Sequence, residues 1–117
     1  MGKVLLYNVN LMKADSIIKV ASGLGHQVVV VPQSQFGTPV GAVSMGVMGA
    51  SDKGITIDGE MMVMAGFFGD SLDKFIDAYN AAGVSKIECK AVLTPVNSKL
   101  NARQLYKELE EHSKNMK

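Results

Sequence analysis

Four small polar residues stand where a strand-like run gives way to a turn. Asn8 and Asn10 follow Lys3–Tyr7, and Thr94 and Asn97 close Lys86–Leu93. Residues so placed serve one of two chemistries. In open αβ sheets ligands collect in the crevice beyond the carboxyl ends of the strands. With all strands parallel, these amides and hydroxyls would converge there, together with Gln33, Ser34 and Gly66. The other reading is that they cap helices and hold turns, which is what Asn and Thr commonly do, and their general behaviour favours it. Lys90, inside a strand, either binds an anion or guards an edge against unwanted pairing, the usual task of a strand lysine. Asn8, Asn10, Thr94, Asn97 and Lys90 are therefore the candidate ligand-binding residues, and no catalytic residue is assigned.

Other chemistries have less behind them. Cys89 is the one cysteine, so it forms no internal disulfide and no thiolate zinc site. Its alternation with Ile87 and Ala91 points it into the core as an inert thiol. Glu108 and His112 have the i, i+4 spacing of a metal pair but lack a third ligand. His26 precedes a strand with no carboxylate beside it. Met61, Met62 and Met64 lie along a strand, and Met45 and Met48 are three apart. Adjacent strand residues face opposite ways, so Met61 and Met62 cannot share one soft-metal site, and core or interface filler is the better account. The glycines between Gly37 and Gly49 fit neither phosphate-binding fingerprint. No cofactor and no metal is expected.

The charge balance narrows the partners. Twelve basic and eleven acidic side chains in 117 residues leave a net charge of +1, with no basic run to follow a nucleic acid or an anionic membrane. No apolar stretch approaches the ~20 residues that span a bilayer. Met1-Gly2-Lys3 leads straight into a strand without the layout of a signal peptide. A cytoplasmic protein is expected.

The elements that would position these residues come in two rounds. Lys3–Tyr7, a helix from Asn10 to Ser22, a stop at Gly23 or Gly25 and a strand Val28–Val31 are answered by Met61–Ala65, a helix from Asp70 to Ala82, a stop at Gly83 and a strand Lys86–Leu93. In the second helix Asp70 is the N-cap, Leu72, Phe75, Ile76 and Tyr79 fall on one face, and Val84 folds back after the stop. Each round then adds a proline and a capped helix. Thr38 caps a short helix with Pro39 at its first position, and Asn101 caps the last one, with Gln104 completing a capping box and Leu100 and Leu105 a staple. Between the rounds, Ile55–Ile57, Asp58-Gly59 and Glu60–Met62 read as a two-residue hairpin, and Ala50–Gly54 as a mobile loop. Three strands are apolar on both faces. Lys86–Leu93 alternates, with Ile87, Cys89, Ala91 and Leu93 on one side and Glu88 and Lys90 on the other, as suits an edge.

The segment Lys90–Asn97, with its Leu-Thr-Pro-x-Asn run, followed by a helix ending in Glu111-His112, resembles a bacterial domain-of-unknown-function family, number 3783. The resemblance covers mainly the second round. It implies a small bacterial αβ domain and brings no activity, cofactor or catalytic residue with it.

The expected fold is α/β, with duplicated β-α-β-α units forming one open sheet of four to five strands with packing helices. The alternative is a ferredoxin-like α+β split arrangement. It is one domain of two internal repeats, about 3–48 and 60–114, with a mobile glycine-rich connection at about 49–59. The expected function is non-catalytic. The domain would bind a small ligand or protein partner and self-associate, through its double-faced apolar strands and methionine-rich middle. The alternatives are a small enzyme with a polar site at the carboxyl ends of the strands, or an adaptor docking through the C-terminal helix.

Overall fold

The computed structural model describes residues 2–47, 49 and 54–115, with side chains as far as Glu111. Its first half holds β1 (Lys3–Tyr7), α1 (Leu11–Gly23), β2 (Gln27–Val31), a 3-10 turn at Gln33–Gln35 and α2 (Val40–Ser44). The second half runs through the same order: β3 (Met61–Ala65), α3 (Ser71–Ala81), β4 (Cys89–Val92), a 3-10 turn at Asn97–Lys99 and α4 (Ala102–Asn115).

The four strands form one open mixed sheet in the order β2-β1-β3-β4. β1 and β2 are parallel, as are β3 and β4, while β1 and β3 meet antiparallel with Leu5 opposite Val63. The halves therefore lie side by side. They do not interleave as the ferredoxin-like alternative requires, because each strand–helix–strand crossover returns to the neighbouring position.

Strand alternation divides the core into two layers. Leu5, Tyr7, Met61 and Val63 face α2 and α4, where Val40, Val43, Ala102 and Leu105 meet them. Val4, Leu6, Met62 and Met64 face α1 and α3, against Ala14, Ile17, Ala21, Phe75 and Tyr79. Every residue of β3 is buried, as befits a strand with neighbours on both edges and helices on both faces. Three of the eight methionines are thus core filler split between the layers. No helix among the described residues is long and apolar enough to cross a membrane.

The helix ends follow local chemistry. Asn10 Oδ1 accepts the Lys13 N–H at 2.8 Å and starts α1. Gly83, at φ +73°, ends α3 in the left-handed region, and Val84 packs back onto the α1–α3 layer. Asn101 and Gln104 form the full capping box, each side chain bonded to the other's amide at 2.9–3.0 Å.

Four expectations need correction. Asp70 precedes α3 but makes no cap bond; its backbone, at φ −90° and ψ 5°, is not extended, and its carboxylate lies 3.4 Å from Lys74 Nζ instead. Pro39, not Thr38, stands at the start of α2, and the buried Thr38 hydroxyl donates to Gln35 Oε1 at 2.9 Å. Ile55–Ile57 is no strand, because β1 and β4 already occupy both edges of β3 and leave a hairpin partner nowhere to pair. Ile87 lies ahead of β4, outside the pleat, and so packs in the α1–α3 layer, opposite to Cys89. The stretch Ala50–Lys53, Met48 and the His112 side chain, named above for a loop, a thioether pair and a metal pair, lie outside what is described.

Candidate functional site

The antiparallel β1–β3 seam decides where the polar residues go. Tyr7 pairs with Met61 and Lys3 with Ala65, so the carboxyl ends of β1 and β2 point one way and those of β3 and β4 the other. Asn8, Asn10 and Gln33 stand at one end of the sheet, and Gly66, Thr94 and Asn97 at the other. The strand length between them is about 15 Å. They do not converge on a single pocket.

Each of the four bonds within its own surroundings. Asn8 takes a left-handed backbone, φ +62°, which Asn tolerates. From there its Nδ2 donates to the carbonyls of Ile57 at 3.2 Å and Gly59 at 3.0 Å, tying down the segment that enters β3. Asn10 caps α1. Thr94 and Asn97 bond reciprocally: Asn97 Oδ1 accepts the Thr94 N–H at 2.8 Å and Thr94 Oγ1 accepts the Asn97 N–H at 3.1 Å. Asn97 Nδ2 also donates to the Val92 carbonyl at 3.0 Å.

Lys13, not singled out from the sequence, joins three elements at the Asn8 end. Its Nζ lies 2.6 Å from Glu60 Oε1 and 3.3 Å from the Lys86 carbonyl, with the side chain nearly buried. At the Thr94 end, Lys3 Nζ donates to the Ser44 carbonyl at 2.7 Å, a cation on the negative end of α2.

Thr94 lines the more apolar of the surface depressions, a groove of ≈ 600 Å³ between the end of α2 and the turn after β4. Gly41, Ala42 and Met45 form one wall, and Leu93, Pro95 and Ser98 the other. The walls touch at the base. A Cβ on Gly41 would stand 2.7 Å from Ser98 Cβ, so only glycine fits there. Met45 and Val96 are 79% and 80% exposed beside it.

Lys90 lies elsewhere, on the α3 side of β4, in a hollow of ≈ 500 Å³ with Met64, Leu72, Asp73, Ile76 and Asp77. The two carboxylates, one helical turn apart, oppose any anion that Lys90 would attract, and the arrangement suits edge protection. A third, smaller hollow of ≈ 100 Å³ gathers Thr56, Asp58, Arg103, Tyr106 and Glu110. Sequence reading passed over it, although Arg103, Tyr106 and Glu110 are spaced i, i+3 and i+7 and must share a helix face.

Among the described residues no group of three or more His, Cys, Asp or Glu comes together to hold a metal. Cys89 is buried, and its burial pushes the thiol pKa up, with Glu110 and Glu88 adding to the effect, which opposes a reactive thiolate. His26 Nδ1 accepts the Gly2 N–H at 2.9 Å, and its ring lies 4.3 Å from that of Phe67.

Burial lowers the His26 pKa. The unfolded chain, whose imidazole titrates near about 6.5, then binds more protons than the fold at mildly acid pH. The stability contributed is fully present above that pH and is lost as pH falls through the folded value. The urea midpoint is expected to drop between about pH 7.5 and 5.5, and His26→Ala to show a smaller drop over the same window. Equal drops in the two proteins would refute the assignment.

Residues 60–116 match the model of a family described as a domain of unknown function, DUF3783. No curated protein and no solved structure matches the chain.

Proposed function

We propose, for a chain whose residues 60–116 match the DUF3783 family model, a non-catalytic role: it binds a small ligand or a protein partner and associates with copies of itself. One observation carries the reading. The polar residues at the strand ends bond to their own turns and neighbouring loops, whereas the groove between α2 and the turn after β4 is lined mainly by apolar groups, with Met45 and Val96 exposed beside it. A surface of that kind recognises by shape and apolar contact, and a methionine beside it adapts to more than one occupant.

The test is amide chemical-shift mapping on isotope-labelled protein with small apolar fragments and short Leu- or Met-containing peptides. Shifts are expected at Ala42, Leu93, Thr94 and Ser98. Shifts confined to Asp58, Arg103 and Tyr106 would overturn the assignment of the groove. Light scattering at rising concentration tests the second part, with a mass above 12.5 kDa expected. A monomer throughout would remove self-association.

A further inference from the structure

Two strands end the sheet, and they are guarded differently. β4 carries Lys90, with Asp73 and Asp77 of α3 lining the hollow beside it. β2 is Gln27-Val28-Val29-Val30-Val31, with no charge and no proline, and among the described residues no strand pairs with its outer edge. Val30 is 42% exposed, and Val28 and Val29 are half-buried. Sheets blunt such edges with charge, proline, bulges or cover because they pair readily with another strand.

We propose that the outer edge of β2 is the contact with a second copy of this chain, the two strands pairing antiparallel about a twofold axis at Val29. This rests on the self-association reading above and gives it a surface and a register. The Gln27 N–H is given to the Gly2 carbonyl, on the β1 side. Alternation along the strand turns Val29 and Val31 the same way and leaves the N–H and C=O of Val28 and Val30 pointing outward. In an antiparallel pair, Val28 of one copy then exchanges both bonds with Val30 of the other, on each side of the axis. Val29 faces its own counterpart across a non-hydrogen-bonded position.

The helix layer closes on the same geometry. α1 lies over the β1–β2 pair, with Ala14, Ile17 and Ala21 against Val4 and Leu6. Across the new seam the two copies of α1 would stand two strand spacings apart, about 9.6 Å, within the 8–10 Å at which helices pack. On α1, Lys13 reaches Glu60, and Leu24 just past the helix borders a hollow with Asp70 and Lys74, so that flank faces the second half of the chain. At about 100° per residue the opposite flank carries Leu11, Asp15 and Ile18. Leu11 is 80% and Ile18 37% exposed. On each α1 Asp15 already lies 3.3 Å from Lys19, and an antiparallel partner helix would set the two pairs side by side with Asp15 toward Lys19 of the second copy, so opposite charges meet. The same operation at β4 would bring Asp73 and Asp77 against their own copies, so like charges meet.

The test begins with Cys89→Ala, which removes the native thiol, and adds Val29→Cys. A non-hydrogen-bonded antiparallel pair sets its Cα atoms about 4.5 Å apart, inside the range a disulfide spans. Mild oxidation is expected to give a covalent dimer, whereas Val92→Cys at the β4 edge, in the same background, stays monomeric. Val30→Lys is expected to lower the light-scattering mass from twice 12.5 kDa to 12.5 kDa. If Val30→Lys unfolds the chain, the cysteine result decides. Dimers by light scattering without a Val29→Cys cross-link would overturn this interface and leave self-association standing. A monomer at every concentration would overturn both.

Discussion

Phe75→Ala is expected to lower the unfolding free energy by about 3–5 kcal/mol, the usual loss when a fully buried aromatic ring is removed. The ring is completely buried between α3 and the sheet. It also holds three other rings together: Phe67, Tyr79 and His26 stand 5.6, 6.2 and 6.3 Å from it between centroids. Truncation removes the apolar transfer energy and leaves a cavity that the backbone of α3 cannot close. Against a total of about 5–15 kcal/mol for a domain of this size, the variant would be close to unfolding. Phe75→Leu should cost roughly a third as much, since most of the volume remains. Urea titration of the three proteins measures both, and a loss below about 1 kcal/mol for the alanine variant would show that this layer is not the centre of stability.

Tyr7→Phe is expected to do the reverse. Tyr7 is fully buried in the opposite layer, beside Phe36, and its hydroxyl has no hydrogen-bond partner among the described residues. Burial drives the phenol pKa upward, as it must for a group that would have to ionise in an apolar setting. A buried polar atom left unpaired costs about 1–3 kcal/mol, and replacing it with hydrogen keeps the ring and its packing. The substitution should therefore raise stability by up to that amount, with an unchanged dependence on denaturant. A fall in stability would mean that the hydroxyl is bonded in solution.

These two residues also mark what the sequence tells and what it withholds. Phe75 belongs to a helical stripe with Leu72, Ile76 and Tyr79, so its burial follows from spacing alone. The same holds for the caps at Asn10 and Asn101, the stop at Gly83 and the double-sided burial of β3, because each depends on neighbours within a few positions. The orphaned hydroxyl of Tyr7 follows from nothing local. It depends on which residues of α2, and of the segment before β3, settle on that face.

The hairpin at Asp58-Gly59 failed for a related reason. Its turn chemistry is sound, but its partner strand has no free edge once β1 and β4 flank β3. The candidate site was legible in its parts and not in its assembly. Asn8, Asn10, Thr94 and Asn97 were found by their position after strands. Their separation follows from the direction in which the two halves meet, which no single residue encodes. The groove beside α2 was missed because its walls come from distant parts of the chain, residues 41–45 and 93–98, with Gly41 and Ser98 in contact.

The same seam bears on how portable this architecture is. Residues 60–116, the stretch that matches a family, contain β3, α3, β4 and α4, which is half of the sheet. In isolation that half would present the whole of β3 along one open side, although all five of its residues are buried in the intact chain. Here Lys3–Tyr7 supplies the missing neighbour from the same polypeptide, in a register centred on Leu5 and Val63. The matched unit is therefore an incomplete building block that needs a complement. In this protein the complement is built in, so the central strand pair forms at an effective concentration set by the connecting chain rather than by the amount of protein present.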